Sequence, residues 1–472
     1  MRKLNIFGIA LIICIIAIIG FHVFINHAPI DPNAKIVDAN ALGEKGVIKL
    51  ENESKNENGG IFSSTKSDEN SVFLNKSSIM KITKSFINKT GDTATSGDGA
   101  DFYGVNSAVL VKDKSQLTIE DCEIVTNSKG SNGIFVTNTD TGQGQGGAPG
   151  GTPPENGGEV PEKPPEQMKT SKSTEDTIAT INNVKITTHQ DKSRGLDATF
   201  GGIINANNVI INTDGNSCAG LATDRGEGNV TVANSIINTG VSKETGRGSP
   251  IIYSTGNITL ENSKGTSHVS QIACIEGKNS ITLENSKLTG FGEGNRKDGD
   301  NYVDLAGIFI YQSMSGDAGV GTSTFECKNS DLSIDESSNY YKQVPMFHVT
   351  NTKANINLEA SNFKFGSGIL FDISSQNQWG KNGTNGGHVN LTSSNEDLKG
   401  DIIVDSISSL NFTLKSKTFE GAVNSTGNTH ITIEKDGTWS LTGDSNITSL
   451  KNSGKINLND HKLLVNGKEY KG

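Results

Sequence analysis

Two short stretches of this chain concentrate charge among small and aliphatic residues. They are Ser193-Arg-Gly-Leu-Asp-Ala-Thr199 and Ala222-Thr-Asp-Arg-Gly-Glu227. Asp197 and Asp224 offer the hard oxygen ligands that Ca²⁺ prefers. Arg225, beside them, would orient a uronate carboxylate or act as a base. Tyr253, Glu276 and Tyr311 follow at corresponding places of later repeats. Trp379 stands in the polar run Ser374-Ser-Gln-Asn-Gln-Trp-Gly-Lys-Asn-Gly383. Tyrosine and tryptophan present a flat apolar face with one polar atom, which suits stacking on a sugar ring. The seven residues therefore form a candidate ligand site, with Asp197 and Asp224 as its metal pair. The plainer reading is a solvated outer face whose charges pair between neighbouring repeats, with Trp379 folded back over the chain.

Other chemistry is missing from the sequence. It has no Gly-x-Ser-x-Gly elbow, no His-Glu-x-x-His and no phosphate-binding Gly-Lys-Ser/Thr loop. The eight histidines are scattered, and His348 falls within a strand pattern. No catalytic set is assigned.

The elements that must position these residues are written in a repeating phrase. Ile258-Thr-Leu-Glu-Asn-Ser-Lys264 returns unchanged as Ile281-Thr-Leu-Glu-Asn-Ser-Lys287. Looser copies begin at Leu117, Ile181, Val230 and Ile356, and a copy recurs roughly every 21–31 residues over most of the chain. A second phrase lies between the copies, with an aliphatic residue at 134, 196, 221, 251, 272, 308, 346 and 369. One such residue per repeat predicts an inward ladder, and alternation places its neighbours outside. Two strands per repeat, joined by turns, predict an all-β chain folded as a right-handed parallel β-helix. The variable repeat length argues against the strict hexapeptide of left-handed helices. Asn after Leu-Glu predicts a left-handed turn position. A dozen or so coils would make a rod of about 60 Å.

The domain organisation follows. Residues 1–28 read as a transmembrane signal anchor: Arg2 and Lys3 precede a mostly apolar stretch from Ile6 to Ile25, and about 20 such residues span a bilayer core. Its rival is a signal peptide cleaved on secretion, but Asn26-His27-Ala28 fits a cleavage site poorly. Residues 29–70 read as stalk and N-terminal cap, and 71–472 as the β-helix. A Gly/Pro-rich loop interrupts it at 140–177, and smaller insertions fall near 291–304 and 374–388. The region after about Asp405 is expected to be less regular and to include the C-terminal cap. Cysteines 14, 122, 218, 274 and 327 lack metal-ligand spacing and read mainly as small buried residues, without a disulfide framework. The formal charge of −10 argues against nucleic acid, which needs clustered Lys and Arg.

The stretches Arg194–Thr199, Leu221–Gly226, Ser249–Gly256, Glu276–Ser280, Phe347–Asn351 and Leu441–Ser445 resemble adhesin-like right-handed parallel β-helix repeat proteins of anaerobic bacteria. The likeness covers most of residues 70–465. It implies cell-surface display with adhesion or polysaccharide binding, and it carries no catalytic residue set to these positions. The broader pectate-lyase-like superfamily implies Asp-bound Ca²⁺ and an arginine base, parts that Asp197, Asp224 and Arg225 match only loosely. The sequence therefore predicts a membrane-anchored extracellular protein whose partner is a polysaccharide or cell-surface glycan. The alternatives are a calcium-dependent polysaccharide lyase or related carbohydrate-active enzyme, and a passive spacer.

Overall fold

The computed structural model of the chain describes residues 35–44, 46–95, 98–138 and 176–471. The expected anchor at 1–28 and most of the Gly/Pro-rich loop lie outside these residues. Among the described residues no helix is long and apolar enough to cross a membrane.

Alternating apolar residues and frequent turns produce short strands that return beside themselves, coil upon coil. The result is an all-β solenoid with two long parallel sheets. One sheet has sixteen strands, from Ile48–Glu51 to Lys468–Glu469, and every neighbouring pair is parallel except the last. At ~4.8 Å per strand it is about 70 Å long. The other sheet is bent. Ile178–Thr188 pairs through residues 178–182 with Ile203–Asn207 and through residues 185–188 with Ile210–Thr213. Its two arms are therefore one surface folded at a corner.

The corner is set by a backbone position that few residues tolerate. Asn183, Asn208, Asn234, Asn262, Asn285 and Asn329 all have φ between 48° and 55°. Asparagine bears the left-handed region better than most side chains. This is the turn expected after Leu-Glu, and the two identical phrases stack in register, Ile258 on Ile281 and Leu260 on Leu283.

The serines that follow Asn234, Asn262, Asn285 and Asn329 carry a second ladder. The amide N–H of Ser235 donates to Ser263 Oγ at 3.0 Å, Ser263 to Ser286 at 3.2 Å, Ser286 to Ser330 at 3.0 Å and Ser330 to Ser361 at 3.2 Å. Each of these four amides thus finds a hydroxyl on the next coil, which removes the cost of an unmet donor. Ser361 ends the run on the carboxylate of Glu396 at 3.1 Å. Cys122 takes the same place earlier, accepting from the Ser85 amide at 3.4 Å. The four described cysteines are free and buried, as expected, and burial pushes the thiols of Cys122, Cys218 and Cys327 up to about 12.

Between the sheets runs one apolar core. Ile82, Ile119, Ile181, Ala206, Val232, Leu260 and Leu283 form one of its columns. Burying each larger member contributes about 1.5–3 kcal/mol. In the sixteen-stranded sheet the column runs Ile134, Leu196, Leu221, Ile252, Ala273, Ile308, Phe347, Phe371. The expected alignment was therefore one residue early at 251, 272 and 346 and two early at 369. Gly133, Gly195 and Gly220 stand beside the strand start, where Ile251 and Ile272 carry an extra core side chain. The aliphatic residue after Gly or Pro is consequently not always the one in the column.

Two further expectations are corrected. Strand pairing begins at Ile48, well before Ser71. The coils after Asp405 are as regular as the rest, with strands as long as Ser409–Glu420 and Asn428–Ser440. The C-terminal cover is a hairpin that folds Lys468–Glu469 back on Leu463–Val465 through Asn466-Gly467, both with positive φ. An antiparallel closing strand covers the edge that an open parallel stack would expose.

Candidate functional site

The outer face of the sixteen-stranded sheet is not flat. Chain outside the coils rises over it from three directions and leaves a cleft of about 230 Å³. The short helix Asp98–Tyr103 contributes Asp101 and Phe102. The insertion near 291–304 contributes Asn295, Arg296 and Asp304, and the insertion near 374–388 contributes Trp379. The two insertions meet: Asn377 Nδ2 donates to Asp298 at 3.4 Å, and the Arg296 guanidinium lies 6.0 Å from the Trp379 ring centre. Alternation along the strands turns Tyr253 and Phe309 outward onto the floor, with Tyr311 beside them.

One wall is aromatic. Phe309 stacks on Tyr311 at 4.5 Å, and Trp379 lies 4.6 Å from Tyr311. Trp379, expected in a polar loop, is thus folded back and only 6% exposed. Beneath the tyrosines lies Glu276, whose carboxylate accepts from Tyr253 Oη at 2.7 Å, Tyr311 Oη at 3.0 Å and Ser313 Oγ. Burial holds the Glu276 carboxyl above its ordinary range, and the three hydroxyl donors oppose that shift.

The other wall is a caged arginine. Arg194 reaches Asp101 at 3.2 Å, Asp224 at 3.0 Å and Asp197 at 3.5 Å. Neither carboxylate oxygen of Asp197 has a hydrogen-bond partner, and the residue is fully buried. Burial pushes the Asp197 carboxyl up to about 7 despite Arg194, and it holds Asp224 well above the usual carboxylate range. The Arg194 guanidinium therefore takes the place between Asp197 and Asp224 that a cation would need. Among the described residues no three His, Cys, Asp or Glu side chains gather to hold a metal. The donor set does not fit the Ca²⁺ reading of this pair.

The expected site residues separate into three groups. Asp224, Tyr253, Tyr311 and Trp379 line the cleft. Asp197 and Glu276, expected on the outer face, lie buried behind it because loops cover that part of the sheet. Arg225 turns away. Its Nε and Nη2 donate to Asp317 Oδ1 at 2.9 and 2.7 Å, and its guanidinium stacks 3.8 Å above the Phe102 ring. Asp317 raises the Arg225 pKa against the opposing effect of burial, so the group is a poor base. Sequence reasoning missed Asp101, Phe102, Arg296, Asp304 and Phe309. The only signal for Asp101 was a short run, Asp98-Gly-Ala-Asp-Phe-Tyr103, without strand alternation.

The cage has a pH consequence. A carboxyl whose folded pKa exceeds its unfolded value contributes stability that is present below the unfolded value, about 4, and lost as pH rises through the folded value. For Asp197 the window runs from about pH 4 to about 7. The thermal midpoint should fall between about pH 5 and pH 8, and Asp197→Asn should flatten part of that fall. Coincident pH profiles of the two proteins would remove Asp197 as the cause. Glu396, also pushed up to about 7 by burial, contributes with the same sign in both.

Fold and site together define an all-β parallel solenoid with an acidic, aromatic-walled cleft on its outer face. Comparison of the chain with protein families, curated proteins and solved structures finds no match.

Proposed function

We propose that this chain is a surface-displayed binding protein that holds a polysaccharide in the cleft without cleaving it. The observation that carries this reading is a cleft whose lining sets the partly exposed Tyr253 and the edges of the nearly buried Phe309, Tyr311 and Trp379 beside carboxyl and guanidinium groups. Sugars need this mixture, a flat apolar face with polar groups at its rim. A right-handed, pectate-lyase-like coil and a membrane anchor at 1–28 belong to the same proposal. Arg225 supports the non-catalytic form, since its ion pair with Asp317 would have to break before it could act as a base.

One observation favours an enzyme of the carbohydrate-active class instead. Asp224 lines the cleft, and burial raises its pKa against the opposing pull of Arg194, the direction a general acid requires.

Incubating the full chain, in detergent, with plant and microbial polysaccharides separates the readings. Depletion of protein with glycan of unchanged length is the expected result. Tyr253→Ala should weaken retention about tenfold or more, the effect of losing one aromatic contact at the centre of a site. Shortened glycan would replace the binding reading with the enzymatic one. Absence of depletion across the panel would leave the spacer.

A further inference from the structure

A second cleft, of about 200 Å³, opens where the chain turns into the sixteen-stranded sheet. Its apolar side is Val269, Phe291 and Tyr340, with His268 tilted against Phe291 at 6.2 Å. Its polar side is Arg247, whose Nε donates to Glu293 at 2.7 Å.

The same two segments of chain wall both clefts. Arg247 and Glu293 face the second, while Gly248 and Asn295 face the first. The two segments touch where they cross: a Cβ at Gly248 would stand 2.5 Å from Asn295 Nδ2, and Gly248 has φ +66°. One thin ridge, made of a glycine and an asparagine, therefore separates the clefts. Each cleft alone is smaller than the roughly 300–1,000 Å³ of an ordinary ligand site, and together they fall within that range. Both have the same makeup, an aromatic side facing an arginine and carboxylates.

We infer that the two clefts are successive subsites for one extended oligosaccharide, which crosses the ridge of Gly248 and Asn295 and places later sugars against Phe291 and Tyr340. The inference rests on the glycan reading of the first cleft and narrows its ligand to a chain longer than either cleft.

The test uses the full chain in detergent and size-fractionated oligosaccharides of cellulose, xylan, chitin and homogalacturonan, from disaccharide to decasaccharide. For the glycan that binds, affinity should rise with length by about tenfold or more before it levels off, because the second contact is made at high effective concentration. Asn339→Trp should bring long oligomers down to the affinity of short ones and leave the short ones unchanged. Asn339 lines the second cleft from an exposed loop, so the bulky ring fills the space without touching the core. An unchanged thermal midpoint in that variant secures the comparison. Binding that is independent of length, or a long-oligomer affinity that survives Asn339→Trp, would overturn the inference and leave the first cleft as a binding site. Failure of every oligosaccharide to bind would overturn the glycan reading and this inference with it.

Discussion

Arg194→Met should destabilise the solenoid by about 3–5 kcal/mol, the cost of stranding buried charge without its partner. Asp101 keeps Lys192 at 2.9 Å, but Asp224 and Asp197 have no other cation within ion-pair distance among the described residues. Methionine fills much the same volume, so lost packing contributes little. The loss should depend on pH. Once the arginine is gone, the stranded carboxyls escape the penalty only by binding protons, and they do so more readily at about pH 5 than at pH 8. Urea unfolding at both values would measure it, with the larger loss expected at the higher pH. Replacing Asp224 by Asn as well should restore part of the stability, since one buried charge is then removed. Equal losses at both pH values, with no rescue, would mean that Arg194 acts through its packed stem.

The second large effect is expected at Phe347. Its ring is fully buried, stacks on Phe371 at 4.5 Å and 11°, and meets Phe325 and Phe363 edge-on at 5.6 Å each. Phe347→Ala should cost about 3–5 kcal/mol. The form of the loss matters as much as its size. A solenoid is held by contacts between adjacent coils, so one weak junction uncouples the stack on either side of it. Calorimetry is expected to show one transition for the parent and two for the variant. The lower one would be assigned by hydrogen exchange to the coils on one side of Phe347. A single transition at the parent temperature would show that the aromatic stack is not what joins these coils.

Much of the architecture was legible because it is local and repeated. Ile-Thr-Leu-Glu-Asn-Ser encodes inward Ile and Leu, an outward Thr and a corner Asn within six residues. Each copy meets a near-copy of itself across the sheet. Errors arose where a coil departs from the repeat by one residue. Pro250-Ile-Ile and Gln271-Ile-Ala carry two aliphatic residues where other coils have Gly and one, and sequence alone does not say which enters the column. The C-terminal coils looked irregular because their polar outer residues mask an inner alternation that pairing makes plain, as in Leu410, Phe412 and Leu414.

The candidate site was legible only in part, and the reason is distance along the chain. Composition and spacing singled out Asp224, Tyr253, Tyr311 and Trp379, since charge and aromatic rings are conspicuous in so polar and aliphatic a sequence. What each of them does was decided by partners that stacking alone brings near. Asp101 precedes Arg194 by 93 residues, and Arg225 precedes Asp317 by 92. The sequence by itself determined that the chain coils and where it turns, and it placed the inward column only where a coil keeps the repeat length, because those properties follow from alternation and from the left-handed tolerance of asparagine. Tertiary structure decided which outward residues became a cleft. Loops from distant coils cover Asp197 and Glu276 and engage Arg225, stacking of adjacent coils sets Arg194 between Asp197 and Asp224, and no local pattern records how loops of different coils meet.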